Sequence, residues 1–318
     1  MIEINNLVKY YGNNKAVDDV SFRVEAGEVL GFLGPNGAGK STTMNILTGF
    51  ISATSGQVKV NGYDVLEDPE KARASIGYLP EQPPLYLDMT VLEYLRFVCD
   101  LNSVPKKEQN EHIARIMALV KITDVRKRLI RNLSKGYRQR VGIAQALVGD
   151  PEIIVLDEPT VGLDPKQIKE IRSTIKSLGK NHTVILSSHI LSEVAATCDR
   201  VVIINNGKIV ASGSSDSLGD AVDGINRVEL MIKADSDRAM SVLKSIPGIT
   251  DVLFLRRMED VVVYEYQTHE GFDVREDVFH ALAKENLPLI GMKTLNPTLE
   301  DVFLKVTSQN YHPEKEEK

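Results

Sequence analysis

VLGFLGPNGAGKST, residues 29–42, decides the fold. Its first five residues are apolar without alternation, as in a strand covered on both faces within a parallel sheet. The next nine satisfy GxxxxGK followed by Ser or Thr, and STTMNILTGF (41–50) continues as a helix. Strand, glycine-rich turn and helix in that order predict a loop whose backbone N–H groups curl around phosphate. The positive end of the following helix points at the same place. Gly34, Pro35, Asn36, Gly37, Ala38, Gly39, Lys40, Ser41 and Thr42 then form the loop, with Lys40 adding a point charge and the Ser41 hydroxyl placed to ligate Mg²⁺. A dinucleotide fingerprint competes, because Gly37 and Gly39 begin GxGxxG. Thr42 stands where its third glycine belongs, which argues against it.

A phosphate loop needs a carboxylate nearby, and IIVLDEP (153–159) supplies two. It reads as another buried strand ending in Asp157, which can hold Mg²⁺, followed by Glu158, free to polarise an attacking water as general base. An acidic pair capping the next helix accounts for only one of them. TVILSS (183–188) is a third continuous apolar run, and with the other two it predicts a central parallel sheet. Residues 1 to about 25 read as amphipathic strands turning at Asn13-Asn14, an antiparallel edge sheet. Helical periodicity dominates 85–150, a helical insert, and RVVIINNGKIVASG (200–213) reads as a hairpin turned at Asn206-Gly207.

The fold class expected is therefore α/β, a phosphate-loop NTPase core over 1–220, followed by a linker of Ser, Gly and Asp at 212–224. From 225 to 307 the pattern strand, helix, two strands, helix, strand predicts a small α+β domain of ferredoxin-like β-α-β-β-α-β order, and 308–318 reads as a disordered tail. Composition bounds the rest. With 42% hydrophobic and 26% charged residues the chain is ordinary for a globular protein, and no apolar run reaches the roughly 20 residues of a membrane span. The N-terminus lacks a basic-then-apolar signal pattern. Cys99 and Cys198 lack zinc or CxxC spacing, which fits buried thiols in a reducing compartment. A net charge of −6 argues against general nucleic-acid binding, although Arg126, Lys127, Arg128, Arg131, Lys135, Arg138 and Arg140 form a basic cluster.

Other residues carry little singly. Gln82 lies in a proline-rich loop (LPEQPP, 79–84), and His189 follows TVILSS where a helix cap would also fit. Tyr11 precedes a glycine, and LSKGYRQR (133–140) is a small basic turn whose Ser134 can cap a helix carrying Val141, Ala144 and Val148 on one face. In order along the chain, however, they form one pattern. Over about residues 1–220 the sequence resembles the ATP-binding subunit of an ABC transporter.

That resemblance implies that Tyr11 stacks on adenine, that 34–42 is the Walker A loop and that Gln82 is the Q-loop residue contacting metal and catalytic water. LSKGYRQR becomes the signature, Asp157 and Glu158 the Walker B pair, 161–164 the D-loop with Asp164 at the nucleotide, and His189 the switch histidine. The signature departs from the commonest form, LSGGQ, at Lys135 and Tyr137. With the ending NPTLEDVFLKVT it looks like the exporter-type branch of drug-resistance, sodium-efflux and gliding-motility-associated ATPases. Two such subunits, identical or paired, close head to tail, so that Ser134 and Gly136 of one face the ATP of the other. The implied cofactors are ATP and Mg²⁺. The implied partner is a separate membrane permease whose cytoplasmic helix sits in a groove around 85–101, giving a cytoplasmic, peripheral location and no nucleic-acid role. Chromosome-organising relatives need a long coiled coil between Walker A and signature, for which this chain has no room. Ribosome-binding relatives usually carry two cassettes, and this chain has one Walker A motif.

Overall fold

The computed structural model describes residues 1–214, 218, 225–234, 236–269, 272–295 and 299–307. The chain divides into two compact units, Met1–Ser214 and Ser215–Lys318. Most of the linker expected at 212–224, and the tail expected at 308–318, lie outside the described residues.

The first unit holds two sheets. β1 (Ile2–Tyr11), β2 (Asn14–Val24), β4 (Ser55–Val60) and β5 (Tyr63–Asp64) form an antiparallel sheet in the order β2-β1-β4-β5. Its first turn falls on Gly12-Asn13, one residue before the position expected, because Tyr11 pairs with Asn14 and leaves two residues to close the hairpin. The second sheet runs β10-β9-β3-β8-β7-β6, with β3 (Val29–Leu33), β6 (Ile76–Leu79), β7 (Ile153–Asp157), β8 (Thr183–Ser188) and β9 (Arg200–Asn205) parallel. β10 (Lys208–Gly213) returns antiparallel to β9 through Asn206-Gly207.

Every residue of β3, β7 and β8 is buried. The reason is a core on each face. Leu30, Phe32, Ile153, Val155 and Ile185 pack with the antiparallel sheet and with Met44 and Leu47 of α1 (Lys40–Leu47). Val29, Ile154, Leu156, Val184 and Leu186 point the other way, as the period of two requires. They meet α3 (Val91–Leu101), α4 (Gln109–Leu119), α5 (Lys135–Ala146) and α6 (Pro165–Leu178). Each such side chain contributes roughly 1.5–3 kcal/mol by leaving water. α3 begins with a capping box, the Thr90 side chain accepting from the Glu93 N–H while Glu93 accepts from the Thr90 N–H. Two short helices, α2 (Pro69–Ala74) and α7 (Leu191–Thr197), complete this unit among the described residues.

The second unit follows the order β11 (Ile225–Lys233), α8 (Ser236–Lys244), β12 (Ile249–Met258), β13 (Val261–His269), α9 (Arg275–Lys284), β14 (Leu289–Leu295) and α10 (Leu299–Thr307). Its sheet runs β12-β13-β11-β14, antiparallel throughout. Val228, Leu230, Ile232, Tyr264 and Tyr266 cover one face and pack on Ala239 and Leu243 of α8 and Val278 and Leu282 of α9.

Candidate nucleotide site

β3 ends at Leu33 and delivers the loop 34–39 to the head of α1. Two glycines there use backbone that side chains rarely adopt, Gly37 at φ 82° and Gly39 at φ 110°. A β-carbon on Gly39 would stand 2.6 Å from the Ala16 carbonyl oxygen, so β2 closes on the loop only because position 39 is bare. From the other side the Gly207 N–H donates to the Ala38 carbonyl at 2.9 Å, so the β9-β10 turn also braces it.

The loop forms one wall of a cavity of about 540 Å³, lined by Ala16, Asn36, Gly37, Gly39, Lys40, Ser41, Thr42, Glu81, Glu158, Val161 and His189. Lys40 is 5% exposed; its Nζ donates to the Gly34 carbonyl at 2.8 Å and to the Pro35 carbonyl at 3.2 Å, and lies 3.4 Å from Glu158 Oε1. His189 Nδ1 is 3.0 and 2.9 Å from the two Glu158 oxygens, which accept its N–H. Glu158 therefore sits between an ammonium and an imidazole, at the end of a strand and buried.

Asp157 lies beside it, 2% exposed, with Oδ1 buried and without a hydrogen-bond partner. Burial pushes its carboxyl above the usual carboxylate range; the Ser187 and Ser41 hydroxyls pull the other way, and the charges of Glu158 and Glu81 push further up. An orphaned carboxylate oxygen near the Ser41 hydroxyl is the donor set of a hard divalent cation, so the residues fit Mg²⁺.

Gln82 and its neighbour Glu81 are placed differently. The Gln82 side chain is exposed and is not part of the cavity wall; the wall residue is Glu81. Pro83 and Pro84 restrict the backbone that follows, and Pro83 packs on Gly142 of α5, where a β-carbon would come within 3.0 Å, so the chain leaves the wall at Gln82. Tyr11 is half-exposed at the end of β1 under the Lys9 ammonium, 5.3 Å from its ring centroid, and lies outside the wall to which Ala16 contributes. Ser134, Gly136 and Asp164 are not among the residues lining this cavity, and Gly136 is buried against Gln167. Ser134 is exposed and caps α5, accepting the Tyr137 N–H at 3.4 Å, while Asp164 caps α6 by accepting the Gln167 N–H at 2.9 Å. A larger cavity of about 650 Å³ around His112, Arg115 and Asp150 has no phosphate loop.

Residues 17–161 match the family model described as ABC transporter. The chain is 31% identical over 310 residues to the linearmycin resistance ATP-binding protein of Bacillus subtilis, covering 97% of this chain and 99% of that protein. It is 35% identical over 310 residues to the bacitracin transport ATP-binding protein of Bacillus licheniformis, covering 96% and 97%. A solved dimeric ATP-binding cassette in a post-hydrolysis state, bound to ADP and Pi, superposes with a TM-score of 0.62 at 25% identity, covering 67% of this chain and 98% of that one.

Proposed function

Because the chain belongs to the ABC transporter family as an ATP-binding, ATP-hydrolysing subunit, we propose that two such subunits close head to tail on ATP and drive export through a separate membrane permease. The observation that carries the chemistry is the buried Glu158 held between Lys40 and His189, one residue after the unpartnered Asp157 oxygen.

ATP phosphates would enter the loop 34–42, where backbone N–H groups and the start of α1 receive them. Lys40 then exchanges its contacts with the Gly34 and Pro35 carbonyls for phosphate oxygens. Asp157 and Ser41 would hold Mg²⁺, with Glu81, on the cavity wall beside Gln82, adding its charge from outside the direct ligands. Mg²⁺ bound there supplies neutralisation of phosphate charge. Glu158 accepts the proton of the attacking water, and His189 orients the Glu158 carboxylate through Nδ1. Ser134 and Gly136, which do not line their own cavity, serve the ATP of the partner, and Tyr11 and Asp164 complete the nucleotide contacts.

Direction is inferred from what two relatives are named for, linearmycin resistance and bacitracin transport. The permease would dock on a hollow of about 360 Å³ lined by Tyr86, Phe97 and Leu101 among others, where Tyr86 is 55% and Leu101 67% exposed. No helix among the described residues is long and apolar enough to cross a membrane. Membership of the family supports a place on the cytoplasmic face, held peripherally by the permease.

Glu158→Gln tests the reading. Hydrolysis should fall about 10²- to 10⁴-fold with loss of the general base, while ATP still binds and an ATP-bound dimer accumulates in sedimentation. Near-normal turnover would remove Glu158 from this role.

A further inference from the structure

Lys135 occupies the position at which the commonest signature has glycine, and it is the first residue of α5. A cation there opposes the helix dipole. Among the described residues no carboxylate pairs with it and no acceptor takes a hydrogen bond from it. Its side chain instead runs across the loop that leaves Glu158. A β-carbon on Gly162, which has φ 72°, would collide with Nζ and lie 3.3 Å from Cε and 3.7 Å from Cδ. The contact has a counterpart in the opposite direction. A β-carbon on Gly136 would stand 2.6 Å from Cδ and Oε1 of Gln167, in the first turn of α6. The start of α5 and the segment 162–167 thus each offer a bare glycine to a long side chain of the other.

What lies on either side of this clasp gives it consequence. Val161, next to Gly162, is part of the wall of the chain's own phosphate cavity beside Glu158. Ser134 and Gly136, on either side of Lys135, are the residues offered to the partner's ATP in the head-to-tail reading above, on which this inference rests. We propose that Lys135 is a positioning residue, a strut whose side chain, from Cδ to Nζ, ties the signature turn to the loop after Glu158. ATP in the chain's own cavity thereby fixes the place of the signature presented to the partner.

The end of the side chain, Nζ and Cε, carries the contact, and no carboxylate pairs with the charge, so Lys135→Met, which keeps the chain as far as Cε, should largely preserve the strut and Lys135→Ala should remove it. In a Glu158→Gln background, Lys135→Ala should weaken ATP-driven dimerisation roughly fourfold, the equivalent of about 0.8 kcal/mol for one lost methylene contact. Lys135→Met should restore it, with the salt dependence unchanged. Hydrogen exchange on the dilute monomer gives the second readout. Adding ATP should slow exchange at the 134–138 amides in the parent and in Lys135→Met but not in Lys135→Ala. Loss in both variants with a shallower salt slope would make Lys135 a charge contact to the partner's nucleotide and overturn the strut. Parental behaviour of Lys135→Ala in both assays would make it a solvated side chain and overturn it equally. Should Glu158→Gln stay monomeric in ATP, the head-to-tail reading fails, and the exchange data still decide the strut.

Discussion

Replacing Glu81 with alanine separates two adjacent polar residues that compete for one role. Glu81 belongs to the cavity wall and adds its charge to those raising the Asp157 carboxyl, whereas Gln82 faces solvent. Glu81 is itself exposed, so its pull on a divalent cation is set by the dielectric of water. A single carboxylate about 4 Å from a doubly charged ion is then worth about 2 kcal/mol, roughly thirtyfold in affinity. That agrees with the 10- to 100-fold range typical of groups supporting a metal from outside its direct ligands. The assay is the Mg²⁺ concentration giving half-maximal hydrolysis at saturating ATP, read together with ATP binding in chelator. Glu81→Ala should raise the Mg²⁺ requirement by that factor and leave metal-free binding intact or slightly tighter. Gln82→Ala should stay within about twofold, as exposed substitutions do. A raised requirement in Gln82→Ala with none in Glu81→Ala would refute the assignment and return the role to Gln82.

Gly39→Ala places a methyl 2.6 Å from the Ala16 carbonyl oxygen at φ 110°. It should cost about 1–3 kcal/mol in a denaturant titration and abolish ATP binding; an unchanged midpoint would show that β2 yields freely. His112 gives a pH signature away from the nucleotide. Burial, helped by the Arg115 charge, lowers its pKa below the usual 6.5, against the opposite pull of Asp150, and Nε2 accepts the Gly149 N–H at 3.2 Å. Between the lowered value and 6.5 the unfolded chain binds the extra proton, so this contribution to stability is complete above 6.5 and is lost as the pH falls through the folded value. The thermal midpoint of His112→Gln should fall less steeply than that of the parent between pH 7 and 5; parallel slopes would contradict the assignment.

The phosphate loop was legible because its chemistry demands a local string: strand, glycines, lysine, hydroxyl and helix lie within fourteen residues, 29–42. The central strands were legible because burial on both faces removes the alternation that marks a half-exposed strand. β6 was not, since IGYL has four residues and includes a glycine that is needed bare, its β-carbon position being taken by the Ala146 carbonyl of α5. Gln82 was named by resemblance alone; it and Glu81 both lie beyond the end of β6 at Leu79, in a loop where no strand alternation marks which residue lines the cavity. Lys135 was open for a different reason. Its neighbour, Gly162, lies far along the chain and is brought close only by the fold. Ala16 likewise owes its place at the site to backbone, which no side-chain pattern announces.

Asp157 and Glu158 raise a geometric problem that the backbone resolves. Successive residues of a strand point to opposite faces of the sheet, so two consecutive carboxylates on a continued β7 could not both reach the phosphate loop. β7 ends at Asp157, and Glu158 adopts φ 49°, a left-handed conformation uncommon for a side chain of this size. Of order 1–3 kcal/mol of strain is tolerated at such a residue when its surroundings over-determine it. Here they do, through the Glu158 N–H donating to the Ser187 carbonyl at 3.0 Å, Lys40 at 3.4 Å and His189 at 2.9 Å. The turn brings Glu158 to Lys40 while Asp157 remains at Ser41. One strained residue thus converts a strand's alternation into two carboxylates with different partners, one fitted to hold a cation and the other to take a proton.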